Sequence, residues 1–545
     1  MIAESRGPLA TARCVLCTVA GTVGSVARLP GGSGMSTEFL GSESSHGFAV
    51  ERRRVLQMIG LGAIGSAVVP AHAAEAAGPV ADLVLHSGRV WTGRSHQRRV
   101  EGVAVLGQRI VAVGSNRDVL RWAGARTRVI DLRGAFVAPG FRDQHTHLLN
   151  QADSDASAEV YRPRWDGHDE EVAFEGRRAV GQRHINIFNQ GRTPVDESRH
   201  GEVTEALKNS ILRMQDEAAK QGVTTVVEAG LTDLRVVDAL FQLAEEGRLK
   251  VRHLVRVRWG GIERAAALGW RTGFGNAWVK ILGVKMYADG WLGPRTCALR
   301  RQYNDDPYGW SLPHGVLFLA QERANADVAR AQQLGFNITA HAIGDLGVQT
   351  MLNAYDRAGV TRRDRWCLEH VQVAGDDLLD RMARRGVIGS IQLSFPTSDH
   401  WFASKALGER RTRRESYRWD TMLKRGVPLA GGTDFNIEVL DPLWGLQRSV
   451  TRREFDGSPT GGFLPREDVT VDDGLRLITA DCAFASFEEH ERGRIEVGKY
   501  ADLVVLRENL LTLPRDHIAA ATRLLTITNG KITFEGEVAY PPGLP

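Results

Sequence analysis

The middle of this chain keeps changing its hydrophobic period. Short apolar runs that suit strands lie at residues 129–137, 223–228, 250–259, 279–288, 336–342, 365–371, 387–393 and 427–432. Stretches with helical periodicity, such as 203–221 and 234–246, separate most of them. Eight strand–helix repeats favour a closed parallel α/β architecture, a (β/α)8 TIM barrel, over an open sheet. In such a barrel the C-terminal ends of all strands share one mouth, and chemistry collects there.

The two ends of the chain read differently. Residues 81–88, 107–114, 498–506 and 525–534 are short apolar runs bounded by or containing glycine, and they enclose the different middle. One small β domain built from both ends, 80–138 with 488–545, around a barrel at 139–487, is the economical reading. Residues 151–202 carry few apolar runs and are too long for a plain loop in a compact barrel, so a lid or an interface is expected there.

Before residue 80 the chain does not read as fold. Arg52-Arg53-Arg54-Val55-Leu56-Gln57 precedes a weakly apolar, Gly/Ala-rich stretch at 58–69, then Pro70-Ala71-His72-Ala73. That order is an export signal of the twin-arginine kind, cleaved before Ala74 and leading to the periplasm or the exterior. Its apolar stretch is too short for a membrane span, which needs about 20 residues. Met35 is a second possible start.

With 545 residues the chain has room for one large domain and a smaller one. A net charge of +4, with the charges interspersed, gives no nucleic-acid footprint. The arginines of 410–414 read as solvated helix surface. Five cysteines, two of them (Cys14 and Cys17) in the segment before the signal, exclude a disulfide framework.

Polar residues interrupt the apolar runs at their C-terminal ends. His145 and His147 follow the first run, two positions apart, so on a strand they share a face. Lys285 lies late in the fourth, His341 ends the fifth, His370 the sixth and Asp434 the eighth. Any one of these is unremarkable alone. Metal-competent or basic residues at five strand ends of one closed ring define a metal site.

These motifs resemble the amidohydrolase superfamily, and within it amidohydrolase family 3, the YtcJ-like metal-dependent hydrolases. The resemblance rests on Pro139-Gly140-Phe141 with the His-x-His, residues 222–230, 284–290 and 341–345, Leu368-Glu369-His370, Gly432-Thr433-Asp434 and residues 493–504. It implies a distorted barrel flanked by a composite β-sandwich, holding one or two divalent ions, most often zinc. His145, His147 and Asp434 would hold the more buried ion, and His341 and His370 the more exposed one. Lys285 would bridge them as a carbamate, because a plain ammonium cannot ligate a cation. Glu228 is the other candidate bridge, or a partner of the ligands.

The implied reaction is hydrolysis of a C–N bond (amide, N-formyl or cyclic amide) by metal-activated hydroxide. Asp434 is the proton carrier. An esterase, lactonase or deaminase using the same site is the alternative, and a metal-free binding protein a third. Tyr287, Trp291, Arg295 and Phe395 are the candidate substrate contacts. Together with Trp259, Trp310 and Trp401 they suggest a small substrate with apolar or aromatic bulk. A homo-oligomer is compatible with the sequence. Two departures from the family pattern bear on substrate: Phe395 stands where relatives carry a histidine, and 434–438 reads Asp-Phe-Asn-Ile-Glu.

Overall fold

The computed structural model describes residues 80–94, 100–151, 202–307 and 309–539. The twin-arginine segment, its cleavage site and nearly all of 151–202 lie outside the described residues. Six strands come first: β1 (Leu83–His86), β2 (Arg89–Val90), β3 (Gly102–Leu106), β4 (Arg109–Gly114), β5 (Arg128–Asp131) and β6 (Phe136–Pro139). Eight follow: β7 (Phe141–Thr146), β8 (Val223–Leu231), β9 (Arg252–Arg258), β10 (Val279–Tyr287), β11 (Ile338–Ala342), β12 (Cys367–His370), β13 (Ile388–Gln392) and β14 (Leu429–Gly432). The last three are β15 (Leu503–Leu506), β16 (Arg523–Thr528) and β17 (Lys531–Val538).

β7 to β14 form one eight-stranded sheet in chain order, and every neighbouring pair is parallel. Its two ends meet. The Asp434 amide donates to the His145 carbonyl at 2.8 Å, and the Asp143 carboxylate accepts from the Thr433 amide at 3.0 Å and from its hydroxyl. This is the expected TIM barrel. Gly432 makes the closure possible, because a Cβ there would lie 2.6 Å from the His145 nitrogen.

The remaining strands form two sheets, ordered β4-β3-β1-β5 and β17-β16-β15-β6-β2. Leu83, Leu85, Val103 and Val105 of the first sheet share a core with Val137, Leu503, Val505 and Ile527 of the second. β6 and β15 are buried on both faces. By the period-2 alternation of a strand, Val137, Leu503 and Val505 point into this core, while Phe136, Ala138, Val504 and Leu506 join the barrel core. Two short strands thereby fuse the domains.

The start of the barrel differs from the sequence reading. The run at 129–137 belongs to β5 and β6, in the two flanking sheets, and the first barrel strand is β7. β7 reads Phe-Arg-Asp-Gln-His-Thr, and all six residues are buried. A hydropathy pattern passes over such a strand, because its buried polar groups find their partners elsewhere in the chain, Glu488 for Arg142, Thr433 for Asp143 and Glu369 for His145. Arg411 also departs from its expected solvated surface. It is buried and donates to the carbonyls of Arg301 and Gln302. Helix boundaries follow their caps: Thr204 accepts from the Leu207 amide at the start of Glu205–Lys220, and Asp233 from the Arg235 amide at the start of Leu234–Glu245.

Charges gather where the strands begin. Glu488 accepts from Arg142 on β7 (2.7 Å), Lys280 on β10 (3.0 Å) and Arg492 (2.9 Å). Asp502, just before β15, accepts from Arg252 on β9 at 2.6 Å. Burial alone would raise the Glu488 carboxyl, but Arg142, Arg492 and Lys280 outweigh it and hold it below the usual carboxylate range. Such a group stabilises the fold above its unfolded pKa of about 4.3 and loses that contribution as pH falls below it. Glu488→Gln takes the counter-ion from Arg142 and Lys280 and leaves Arg492 with Glu491 and Asp502 alone, a loss of about 3–5 kcal/mol. Urea unfolding at pH 7 measures it, and the gap to the unmodified protein narrows in acid.

Candidate metal centre and active site

His145 is buried near the end of β7, and His147 follows the strand. The His145 Nδ1–H donates to Glu369 Oε2 at 2.6 Å. Glu369 also accepts from Arg256 on β9 and from the Thr339 hydroxyl on β11. Burial alone would raise the Glu369 carboxyl, but the His145 ring that donates to it and the nearby Arg256 and Lys285 hold it well below the usual range. An ionised partner on Nδ1 leaves the His145 Nε2 lone pair facing the mouth. Burial, then the nearby Lys285, lowers the imidazole pKa, so the ring is neutral at pH 7.

Two more imidazoles are set in the same way. His370 Nδ1–H donates to Gln392 Oε1 at 2.7 Å. His341 Nε2–H donates to the Gly290 carbonyl at 2.9 Å. Burial pushes His370 down to about 3 and holds His341 well below its ordinary value. The ring centroids of His341 and His370 are 4.6 Å apart, and those of His370 and His145 are 4.9 Å apart. Each ring thus has one nitrogen committed to a fixed acceptor, leaving the other as a lone pair.

Asp434 lies two residues beyond β14. Its Oδ1 is 3.3 Å from the Nε2 atoms of both His145 and His147, and its Oδ2 is 3.9 Å from His370 Nδ1. Burial would raise this carboxyl, but the three histidines hold it below the usual range. Oδ1 is buried and has no hydrogen-bond partner among the described residues. A carboxylate oxygen facing an imidazole lone pair, with no proton between them, is an arrangement that a cation resolves. The ligand atoms of His145, His147 and Asp434 lie within 4.8 Å of one another, so these residues fit a divalent ion.

Lys285 is buried on β10, with Nζ 3.3 Å from His145 Nε2 and 5.4 Å from the Tyr287 ring centroid. Burial lowers its amine to about 8. Backbone geometry explains how consecutive residues of β12 both reach the site. Glu369 points inward with Cys367, and His370 has φ +75°, which turns its ring inward too. Asp434 has φ +58°. Two site residues in the left-handed region fit a place where function outweighs backbone comfort.

The other sequence candidates separate. The Tyr287 ring lies 5.9 Å from that of His341, and Phe395 stacks parallel to His370 at 6.0 Å. Trp291 is half-buried in the loop after β10. Arg295 does not offer itself to a ligand. Its Nε and Nη2 donate to Asp305 at 2.6 and 2.7 Å and its Nη1 to the Gly293 carbonyl, so its guanidinium clamps its own loop. With Trp310 it lines a cavity of about 280 Å³ to which none of the imidazoles contributes. Trp401 is exposed on the helix His400–Leu407. Glu228 accepts from His253 Nδ1 and the Leu149 amide, both at 3.2 Å, and so secures the turn after His147.

Glu369, Gln392 and Asp289 carry tasks that the sequence reading did not assign. Asp289 accepts from the amides of Ala298, Ile343 and Gly344, tying together the loops around His341, whose Nε2 lies 3.7 Å away. Asp289 and Glu369 stood inside quoted motifs, next to Gly290 and His370. That adjacency was the available signal.

Fold and site together define a metal-dependent hydrolase built on a β/α barrel. A family model described as "Amidohydrolase family" matches residues 187–534, and the chain belongs to that family as an enzyme acting on carbon–nitrogen bonds. The Bacillus subtilis protein named "Putative amidohydrolase YtcJ" is 26% identical over 540 residues, spanning 83% of this chain and 99% of the relative. The N-substituted formamide deformylase of Arthrobacter pascens is 23% identical, spanning 83% of this chain and 98% of its own. An uncharacterized metal-dependent hydrolase from Pyrococcus furiosus has a solved structure that superposes with a TM-score of 0.64 at 25% identity, covering 79% of this chain and all of that one.

Glu369→Gln keeps the shape but removes the charge that fixes His145. Metal affinity is expected to fall by about 10- to 100-fold, as competition with a chelator would show. An unchanged affinity would mean that Glu369 serves only the barrel interior.

Proposed function

We propose that this protein hydrolyses the C–N bond of an amide, N-formyl or cyclic amide substrate with one or two zinc ions. The observation that carries the reading is the buried Asp434 oxygen held 3.3 Å from the Nε2 atoms of both His145 and His147. Three or more imidazoles with a carboxylate suit zinc among the common divalent ions. Similarity to a deformylase of N-substituted formamides supports the N-formyl member of the substrate group.

His145, His147 and Asp434 would hold one ion, and His341 and His370 a second. Bound there, zinc supplies the Lewis-acid charge that makes water acidic enough to attack at neutral pH and that polarises the substrate carbonyl. Asp434, kept ionised, accepts the proton of the attacking water and passes it to the leaving nitrogen. Lys285, as a carbamate, would supply a further anionic ligand. With its pKa near 8 it has roughly two hundredfold more free amine at neutral pH than an ordinary lysine, and the free amine is the form that adds CO2. Tyr287, Trp291 and Phe395 form the apolar side of the substrate site, suited to aromatic or aliphatic bulk. The Arg52-Arg53 signal supports export of the folded enzyme, zinc included, to the periplasm or beyond.

A panel of N-acyl, N-formyl, lactone and carbamate compounds on the zinc-loaded enzyme tests the reading. Release of an amine supports it, and turnover confined to lactones would overturn it. Asp434→Asn is expected to lower kcat by about 10²- to 10⁴-fold while zinc remains measurable by metal analysis. Lys285→Ala is expected to lose one ion of a pair, and intact-mass analysis of the unmodified protein under bicarbonate reports the carbamate. N-terminal sequencing of the exported protein should begin at Ala74.

A further inference from the structure

We propose that Gln392 is a catalytic residue whose amide nitrogen donates to the substrate's carbonyl oxygen while its amide oxygen holds His370. This rests on the hydrolase reading above and deepens it. For His370 to offer Nε2 to an ion, Nδ1 must carry the proton. Its partner at 2.7 Å is then an acceptor, so the amide can face His370 only with Oε1. The orientation of Gln392 has no remaining freedom. Its Nε2 is buried and has no hydrogen-bond partner among the described residues. Buried amide donors are rarely left without a partner, and those left open at a site await one.

The place is the right one for such a donor. Gln392 is the last residue of β13, in register with Gly432 of β14. It therefore stands on the rim between His370 at the end of β12 and Asp434 beyond β14. Asp434 Oδ2 lies 3.9 Å from His370 Nδ1, and the Gly290 carbonyl is already taken by His341. The Phe395 ring lies flat against His370 and brings no donor. When water adds to the carbonyl carbon, the carbonyl π pair moves onto oxygen, and the Gln392 N–H stabilises that charge without giving up its proton. Asp434 holds the water proton and delivers it to nitrogen as the C–N bond breaks, leaving a carboxylic acid and an amine.

Two variants test this, both measured at saturating zinc. Gln392→Glu keeps an acceptor for His370 and removes the donor. Gln392→Met removes both without adding charge. The probe is acetohydroxamate, a carbonyl-bearing zinc ligand, with imidazole as a control that needs no donor. We expect full zinc content in Gln392→Glu, at least tenfold weaker acetohydroxamate binding in both variants, and imidazole binding within threefold of the unmodified protein. On the substrate found by the panel, kcat should fall by about 10²- to 10³-fold. Acetohydroxamate affinity and kcat within threefold in Gln392→Glu would overturn the proposal and leave Gln392 as an anchor for His370 or for a buried water. Weakening in Gln392→Glu but not in Gln392→Met would mean charge repulsion and overturn it equally. If the unmodified protein binds neither zinc nor acetohydroxamate, the hydrolase reading fails first and takes this one with it.

Discussion

Glu369 lies inside the barrel with no exposure to water, and donors reach it from three other strands: His145 on β7, Arg256 on β9 and Thr339 on β11. Removing a carboxylate and a guanidinium from water costs several kcal/mol for each ion, and apolar residues of similar volume would stabilise a barrel core at least as well. The pair is compensated by full hydrogen bonding, and its effect is directional. It fixes the tautomer of His145 and the aim of its lone pair. Asp434, Lys285 and the other imidazoles are arranged about that lone pair.

The opposite end of the barrel shows the same economy. Glu488 and Asp502 collect the arginines and the lysine at the starts of β7, β9 and β10, while β6 and β15 bury one face in each of two cores. A mouth that must hold several residues within a few ångströms of one another needs a floor that does not shift. A buried ion cluster and two shared strands supply it. The strain visible at the mouth, positive φ at His370 and Asp434, is borne by that rigid frame.

Much of this was legible in the residues. Seven of the eight strand-like runs are barrel strands, and they and the polar residues that end them stand out because a buried parallel strand is apolar until it reaches the mouth. His145, Lys285, His341, His370 and Asp434 all lie there, with His147 just past β7. β7 was not legible as a strand. Its residues are polar, and their partners (Glu488 for Arg142, Thr433 for Asp143, Glu369 for His145) are hundreds of positions away. Arg295 misled for the converse reason. A charged residue beside a site motif reads as a ligand contact, yet its partner Asp305 is in its own loop. Glu369 was hidden by strand alternation, which placed it opposite His370 until the left-handed turn at His370 brought both inward.

The order of apolar runs and the chemistry of the residues that close them were enough to set the architecture and the kind of reaction, since both depend on local period and side-chain type. Which imidazole nitrogen faces the centre, which carboxylate is committed and which is open, and which amide proton is left to donate were settled by folding. Each depends on a hydrogen bond between strands distant in sequence, and the pattern along the chain holds no record of those distances.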